Sequence, residues 1–335
     1  MPASNTAQVD KPKPTSRWSE ALALAKTGST AMQHPVLRHG LAAIFVAIVV
    51  HAVNVHKVVN TLVHASWTAI GIAELFTVAA IIVQILIWGL LVRVSDKKFN
   101  WGGIGSLYLQ GLFFSHVLPG TVSGDALRLF KSAKLIGTGD AIASVVAGRT
   151  AELFGTFLVG IIAVATLPGW FDRYRWIAMC GVFVGLGVVY YLMFRATVPA
   201  ESKDKAGILQ PIIAKLRDGA SAYYRYRSDQ SVLVWCIALA ALQWCLLLVS
   251  FVYFSLALAT YVPWNVFAVA VPASILTAII PISVNGLGFR EGLFVWILAI
   301  AGVDPAQALG IAILIDVQLL PVVAAGGICW LLDRS

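Results

Sequence analysis

The chain has 335 residues; 59% are hydrophobic, 12% are charged, and the mean hydropathy is +0.84. A soluble domain is about 45–50% apolar and about 25% charged, so this composition excludes a cytosolic enzyme, a disordered protein and a nucleic-acid-binding domain. Lys and Arg exceed Asp and Glu by 24 to 16, and the excess sits in short basic stretches that orient membrane proteins and attract anionic lipid.

The apolar runs are long and continuous, unlike the alternating strands of an outer-membrane barrel. The fold class expected is therefore an all-α polytopic membrane protein. Residues 1–37 contain no apolar core of a signal peptide and are expected to form a partly disordered cytoplasmic segment, with a short surface helix over 20–33. Residues 38–333 are expected to form one transmembrane domain. Its predicted elements in order are 39–60, 70–93, a weaker run at 100–117 broken by Pro119-Gly120 and Gly124, a helix at 125–136, then 139–167, 174–194, 231–260, 263–280, a short run at 289–302, and 306–332. The four cysteines, Cys180, Cys236, Cys245 and Cys329, lie in these segments without a CxxC pair, so neither a disulfide framework nor a zinc site is expected.

Sidedness follows from Lys and Arg. The N-terminal segment, the junction at Arg93, Lys97 and Lys98, and the loop 195–230 are basic. All three reach the cytoplasmic side only if 100–136 and 263–302 are re-entrant hairpins entered from opposite faces. About six full spans and two such hairpins result, with both termini cytoplasmic.

The two breaks match. Pro119-Gly-Thr-Val-Ser-Gly-Asp-Ala-Leu-Arg128 and Pro281-Ile-Ser-Val-Asn-Gly-Leu-Gly-Phe-Arg290 align at a constant offset of 162, with Pro, Val, Gly and Arg in common. This suggests an inverted repeat whose broken helices meet near the midplane and form a substrate site. Freed backbone groups are tolerated there only in protein or beside a wet cavity. Helix starts are expected at Ser123-Gly124-Asp125 and at Asn285-Gly286, where exposed N–H groups favour anions. Arg128 and Arg290 add planar phosphate donors. Together they suit one phosphate or phosphodiester.

Ionisable residues at membrane depth are candidates for function. Arg149 and Glu152 share a helical face and either line the path or form a structural ion pair. Glu291 orients Arg290 or accepts a proton. Asp316 is an isolated carboxylate in the last span. Asp125 reads better as an N-cap than as a substrate group, Lys131 and Lys134 as snorkelling cations, and His116 as a packed side chain. His51, His56 and His64 do not share a helical face, so no metal site is expected, and no cofactor or catalytic motif is visible.

At these residues the chain resembles the integral membrane region of the lysylphosphatidylglycerol synthase and flippase family. The resembling stretches are Leu118–Arg128, Ser144-Val-Val-Ala-Gly-Arg149-Thr-Ala-Glu152, and Pro281–Glu291. Two departures stand out: Ser123-Gly124-Asp125 where the family reads closer to Gly-Gly-Asp, and Gly148-Arg149 where it usually has Asp-Arg. Synthase members carry a soluble aminoacyltransferase domain, and this chain ends at Ser335 without one. The resemblance therefore implies translocation of an anionic or phosphate-bearing lipid in a bacterial inner membrane. A membrane-embedded transferase and a non-catalytic lipid-binding subunit are the rival readings. Oligomeric state, including a homo-oligomer, stays open.

Overall fold

The computed structural model describes residues 55–95, 100–117, 123–191, 223, 230–277 and 288–333. The predicted N-terminal segment, the surface helix, the start of the first span, the break at Pro119-Gly120 and the loop 195–230, apart from 223 and 230, lie outside the described residues. Among the described residues the regular structure is entirely helical. Its helices are α1 Val55–Val63, α2 Trp67–Ser95, α3 Trp101–Val117, α4 Ser123–Ile136, α5 Thr138–Ala165, α6 Asp172–Tyr190, α7 Gln230–Ala257, α8 Trp264–Thr277, α9 Phe289–Ile300, α10 Pro305–Val317 and α11 Leu320–Leu332.

Four stretches are long and apolar enough to cross a membrane: α2, α5, α7 from Ser231, and the α10–α11 run Pro305–Leu332. Each has 27 to 29 residues, about 40 Å of helix at 1.5 Å per residue, against a hydrocarbon core of about 30 Å. The arms α3, α4, α8 and α9 have only 17, 14, 14 and 12 residues, about 18–26 Å each. The expected final span 306–332 is two helices rather than one. Pro321 lies in the first turn of α11 and has no N–H for the carbonyl of Val317, so the helix breaks at Gln318-Leu319. In α6 the first turn holds Asp172, Arg173 and Arg175, and the apolar run starts only at Trp176.

The helix pattern recurs. The sequence of long, short, short, long in α2–α5 has lengths 29, 17, 14 and 28. In α7, α8, α9 and the α10–α11 run the lengths are 28, 14, 12 and 28. The first two pairs even begin 163 residues apart, at Trp67 and Gln230, then at Trp101 and Trp264.

At the centre α7 lies along α2 and α5. The hairpin α3–α4 packs between α5 and α11, and the hairpin α8–α9 packs against α5, α7 and α10. A core of Phe251, Phe254, Phe267, Phe294, Leu298 and Ile311 joins α7 to the second hairpin and α10. A separate core of Ile87, Leu91, Ala147, Ala151 and Cys236 joins α2, α5 and α7. Between apolar helices in lipid, close backbone approach and interhelical hydrogen bonds replace the hydrophobic drive. Both are present. Thr77 Oγ1 lies 2.8 Å from Ser250 Oγ and donates to Gln318 Oε1 at 2.9 Å, bonding α2, α7 and the α10–α11 break. Asn265 Nδ2 donates to the Thr166 carbonyl at 2.7 Å, fixing the start of α8 to the end of α5.

Lys131 does not snorkel freely. Its ammonium donates to Gln110 Oε1 at 2.7 Å and to Asp333 Oδ2 at 2.5 Å, tying the first hairpin to the end of α11. That hydrogen bond and the lysine charge hold the Asp333 carboxyl below the usual carboxylate range.

At Gly155 the helices α5 and α7 come close: a Cβ there would lie 2.6 Å from the Ala241 nitrogen and 2.7 Å from the Ala240 carbonyl carbon. Gly71, on α2, has nothing within 4 Å of a Cβ. Overpacking of this kind costs about 1–3 kcal/mol. Gly155→Val is expected to lower the melting temperature of the detergent-solubilised protein by several degrees, while Gly71→Ala leaves it unchanged. Equal melting temperatures for both variants would show that the helices do not meet at Gly155.

Candidate functional site

A cavity of about 550 Å³ opens among α2, α3, α7, α8, α9 and α10, within the range of about 300–1,000 Å³ usual for small-molecule sites. Both hairpins contribute to it. Leu112 and His116 come from α3, Ser274 and Ile275 from α8, and Arg290 and Glu291 from α9. The long helices add Gln84, Gln243, Trp244, Phe251, Ile315 and Asp316, and the α10–α11 break adds Gln318. Most of this wall is apolar, and its charge is gathered at one place.

That place is Arg290. Its Nη2 donates to Asp316 Oδ1 at 2.5 Å, and its Nε donates to Glu291 Oε1 at 3.0 Å. The second oxygen of Glu291 accepts the Gly288 backbone N–H at 2.6 Å, which satisfies one of the orphan donors at the start of α9. Gly288 has φ +83°, a conformation that favours glycine. Glu291 therefore contacts Arg290 and also caps the helix. The Arg290 side chain is 31% exposed and that of Asp316 38%, so the pair stands at the cavity surface. The predicted helix start at Asn285-Gly286 lies outside the described residues, and α9 begins at Phe289.

The first hairpin differs from expectation at its arginine. Arg128 is 7% exposed and does not line the cavity. Its guanidinium lies over the rings of Tyr108 at 4.4 Å and Trp88 at 5.6 Å and pairs with Asp125. Arg128 and Arg290 therefore do not both line this cavity. Asp125 is not an isolated N-cap either: it also takes a bidentate bond from Arg149, at 2.9 Å to Oδ2 and 3.0 Å to Oδ1. Arg149 in turn donates to Glu152 at 3.0 Å, and Gln84 Nε2 donates to the other oxygen of Glu152 at 2.9 Å. The predicted Arg149–Glu152 pair is thus one link of a longer chain, Arg128–Asp125–Arg149–Glu152–Gln84, whose last member lines the cavity.

Ser123 opens α4, as predicted. Gly124 is a packing residue: a Cβ there would lie 2.2 Å from the Gly111 carbonyl oxygen, where α3 and α4 cross. His116, expected to be packed, lines the cavity, with Nδ1 2.9 Å from the Leu112 carbonyl. Sequence reading passed over Gln84, Trp244 and Gln318, although Gln84 is the single amide in a run as apolar as α2 and is its own signal.

The two halves answer each other in charge. Arg149 is the twelfth residue of α5 and Asp316 the twelfth of α10. Each pairs with the preceding hairpin, Arg149 with Asp125 and Asp316 with Arg290. The sign is exchanged while the contact recurs.

Short helix hairpins set among long apolar helices, with paired charges at a cavity between them, define an integral membrane protein with an amphipathic internal site. The family model of the lysylphosphatidylglycerol synthase TM region matches residues 36–327, and the chain belongs to that family, whose membrane domain is linked to lipid-related functions. No curated protein matches the chain.

Asp125 holds two guanidinium groups at once. Removing one partner of a buried charge pair costs about 3–5 kcal/mol, less where the partner is half exposed as Arg149 is. Asp125→Ala is expected to lower the melting temperature in detergent by several degrees, and Asp333→Ala, which removes a solvent-exposed ion pair with Lys131, to leave it nearly unchanged. A melting temperature for Asp125→Ala equal to wild type would show that the charge chain carries no structural weight.

Proposed function

We propose that the protein translocates a phosphate-bearing lipid across the membrane through the cavity beside Arg290. The observation that carries this reading is the cavity's division of labour: an apolar wall spanning several helices and one charged cluster at Arg290. A lipid divides in the same way, into tails that stay in hydrocarbon and a head group that needs donors. Arg290 is the donor to the phosphate, a role its planar fork suits. Trp244, Gln84, Gln243 and Ser274 supply further polar contacts. Arg149 and Glu152 brace the edge of the path from their own pairs, and Arg128 acts as a fixed strut of the first hairpin.

The recurring helix pattern supports an inverted repeat, in which rocking of one half against the other exposes the site alternately to each side. The short arms α3, α4, α8 and α9 are then the re-entrant hairpins, completing about six full spans. On the positive-inside rule the basic N-terminal segment and the loop 195–230 face the cytoplasm of a bacterial inner membrane, and the C-terminus lies on the same side.

The test is head-group movement in proteoliposomes carrying a fluorescent phospholipid, read by quenching from outside. A charge-assisted contact to phosphate contributes about 1.5–3 kcal/mol, so Arg290→Ala is expected to slow movement about 10- to 100-fold with the fold retained by circular dichroism. Arg290→Ala at the wild-type rate would defeat the assignment.

A further inference from the structure

Among the described residues, the charges that line the cavity do not balance. Arg290 brings one positive charge, and Glu291 and Asp316 bring two negative ones. The neighbouring chain gives no relief, because Arg128 and Arg149 are matched by Asp125 and Glu152. The sequence segments 118–122 and 278–287, at the two breaks, contain no ionisable residue. The cavity therefore carries a surplus negative charge beside the one arginine that is to hold a phosphate. Charges at membrane depth are expensive unless paired, and a bare anion entering here would raise the surplus to two.

The place of the surplus is Asp316. Glu291 is committed on both oxygens, to Arg290 and to the Gly288 N–H, and its side chain is only 13% exposed. Asp316 gives Oδ1 to Arg290, and among the described residues its Oδ2 has no hydrogen-bond partner. It lines the cavity with 38% of its side chain exposed. A second group also points to an occupant. Trp244 lines the same cavity, is 8% exposed, and its indole N–H has no acceptor among the described residues. A buried donor without an acceptor is a cost that a ligand oxygen would remove.

We propose that the cavity takes a phosphate only together with one positive charge delivered to Asp316. This rests on the translocation reading above and adds the charge rule for its substrate. The positive charge has two sources: the ammonium of a zwitterionic head group, or a proton from water that binds Oδ2 with an anionic head group and returns to water when that head group leaves. In either case the added charge leaves Arg290 free to turn from Asp316 to the phosphate. His116, on α3, is the other titratable side chain on the wall, and Arg290 and Glu291 are the charged groups that face Asp316 from α9. Two more helices pack against α10: in α7, residues 231–257 carry no charged side chain, and α1 carries His56 and Lys57 in its first turn.

The experiment uses the full chain in proteoliposomes with phosphatidylethanolamine or phosphatidylglycerol carrying an acyl-chain fluorophore, at pH 5.5 and pH 8. The ammonium source predicts phosphatidylethanolamine movement that is equal at both pH values and at least about 10-fold slower in Asp316→Asn. The proton source predicts phosphatidylglycerol movement at least about 10-fold faster at pH 5.5, with that dependence lost in Asp316→Asn, kept in Asp316→Glu and kept in His116→Gln. Either pattern supports the proposal and names the source. Asp316→Asn indistinguishable from wild type with both lipids at both pH values overturns it, as does a pH dependence that His116→Gln abolishes and Asp316→Asn does not. If the wild type moves neither lipid, the translocation reading fails, and native mass spectrometry in detergent decides the charge rule separately. Asp316→Asn should then shift the bound lipid towards phosphatidylglycerol at pH 8, and an unchanged ratio of the two bound lipids would overturn the rule.

Discussion

A charge inside a bilayer must find an opposite charge, and this constraint organises the site. Asp125 gathers Arg128 and Arg149, while Glu152 takes the remaining arm of Arg149. Glu291 and Asp316 share Arg290. Two of these pairings, Asp125 with Arg149 and Arg290 with Asp316, join a hairpin to the long helix that follows it, and the others lie within one helix. The hairpins are therefore positioned electrostatically as well as by packing, and the elements that carry the candidate ligand donors are the elements that the pairs hold. Where the pairing is complete, around Asp125, the chain is closed and structural. Where it is incomplete, around Asp316, a cavity lies beside it.

The recurrence of helix lengths gives the same division a second origin. The same contact, hairpin to the twelfth residue of the following long helix, is made in both halves with the charges exchanged. A buried pair and a cavity-facing pair can arise from one arrangement because the surroundings differ. Around Arg128 the faces of Tyr108 and Trp88 fill the space. Arg290 lines the open cavity, whose wall mixes the polar Ser274 and Gln318 with the rings of Trp244, Phe251 and Phe294.

Much of the fold was legible from composition and spacing. Runs of apolar residues located α2, α5 and α7 to within a few residues, because in lipid only a continuous helix satisfies its backbone. The ion pair of Arg149 with Glu152 followed from helical spacing, and Glu291 beside Arg290 from adjacency. The placement of Arg128 was not legible. It depends on which rings fold over it, and Tyr108 and Trp88 arrive from other helices. The break at Gln318-Leu319 carried its own signal in Pro321, hidden by the apolar run around it. The equivalence of Arg149 and Asp316 escaped the constant offset of 162 that matched the hairpins, since the two residues stand 167 apart. It emerges once the long helices are compared from their own starts.

The central claim is that a lipid head group occupies the cavity beside Arg290. Its most direct measurement is photocrosslinking with a phospholipid bearing the photoreactive group on its head, followed by peptide mapping. The account predicts adducts on the cavity-facing residues of α9 and α10, near Arg290 and Ile315, that an excess of unlabelled phospholipid suppresses. Adducts confined to the outer face of the helices, at positions such as the exposed Ile177 and Trp176, with none in the cavity, would contradict it.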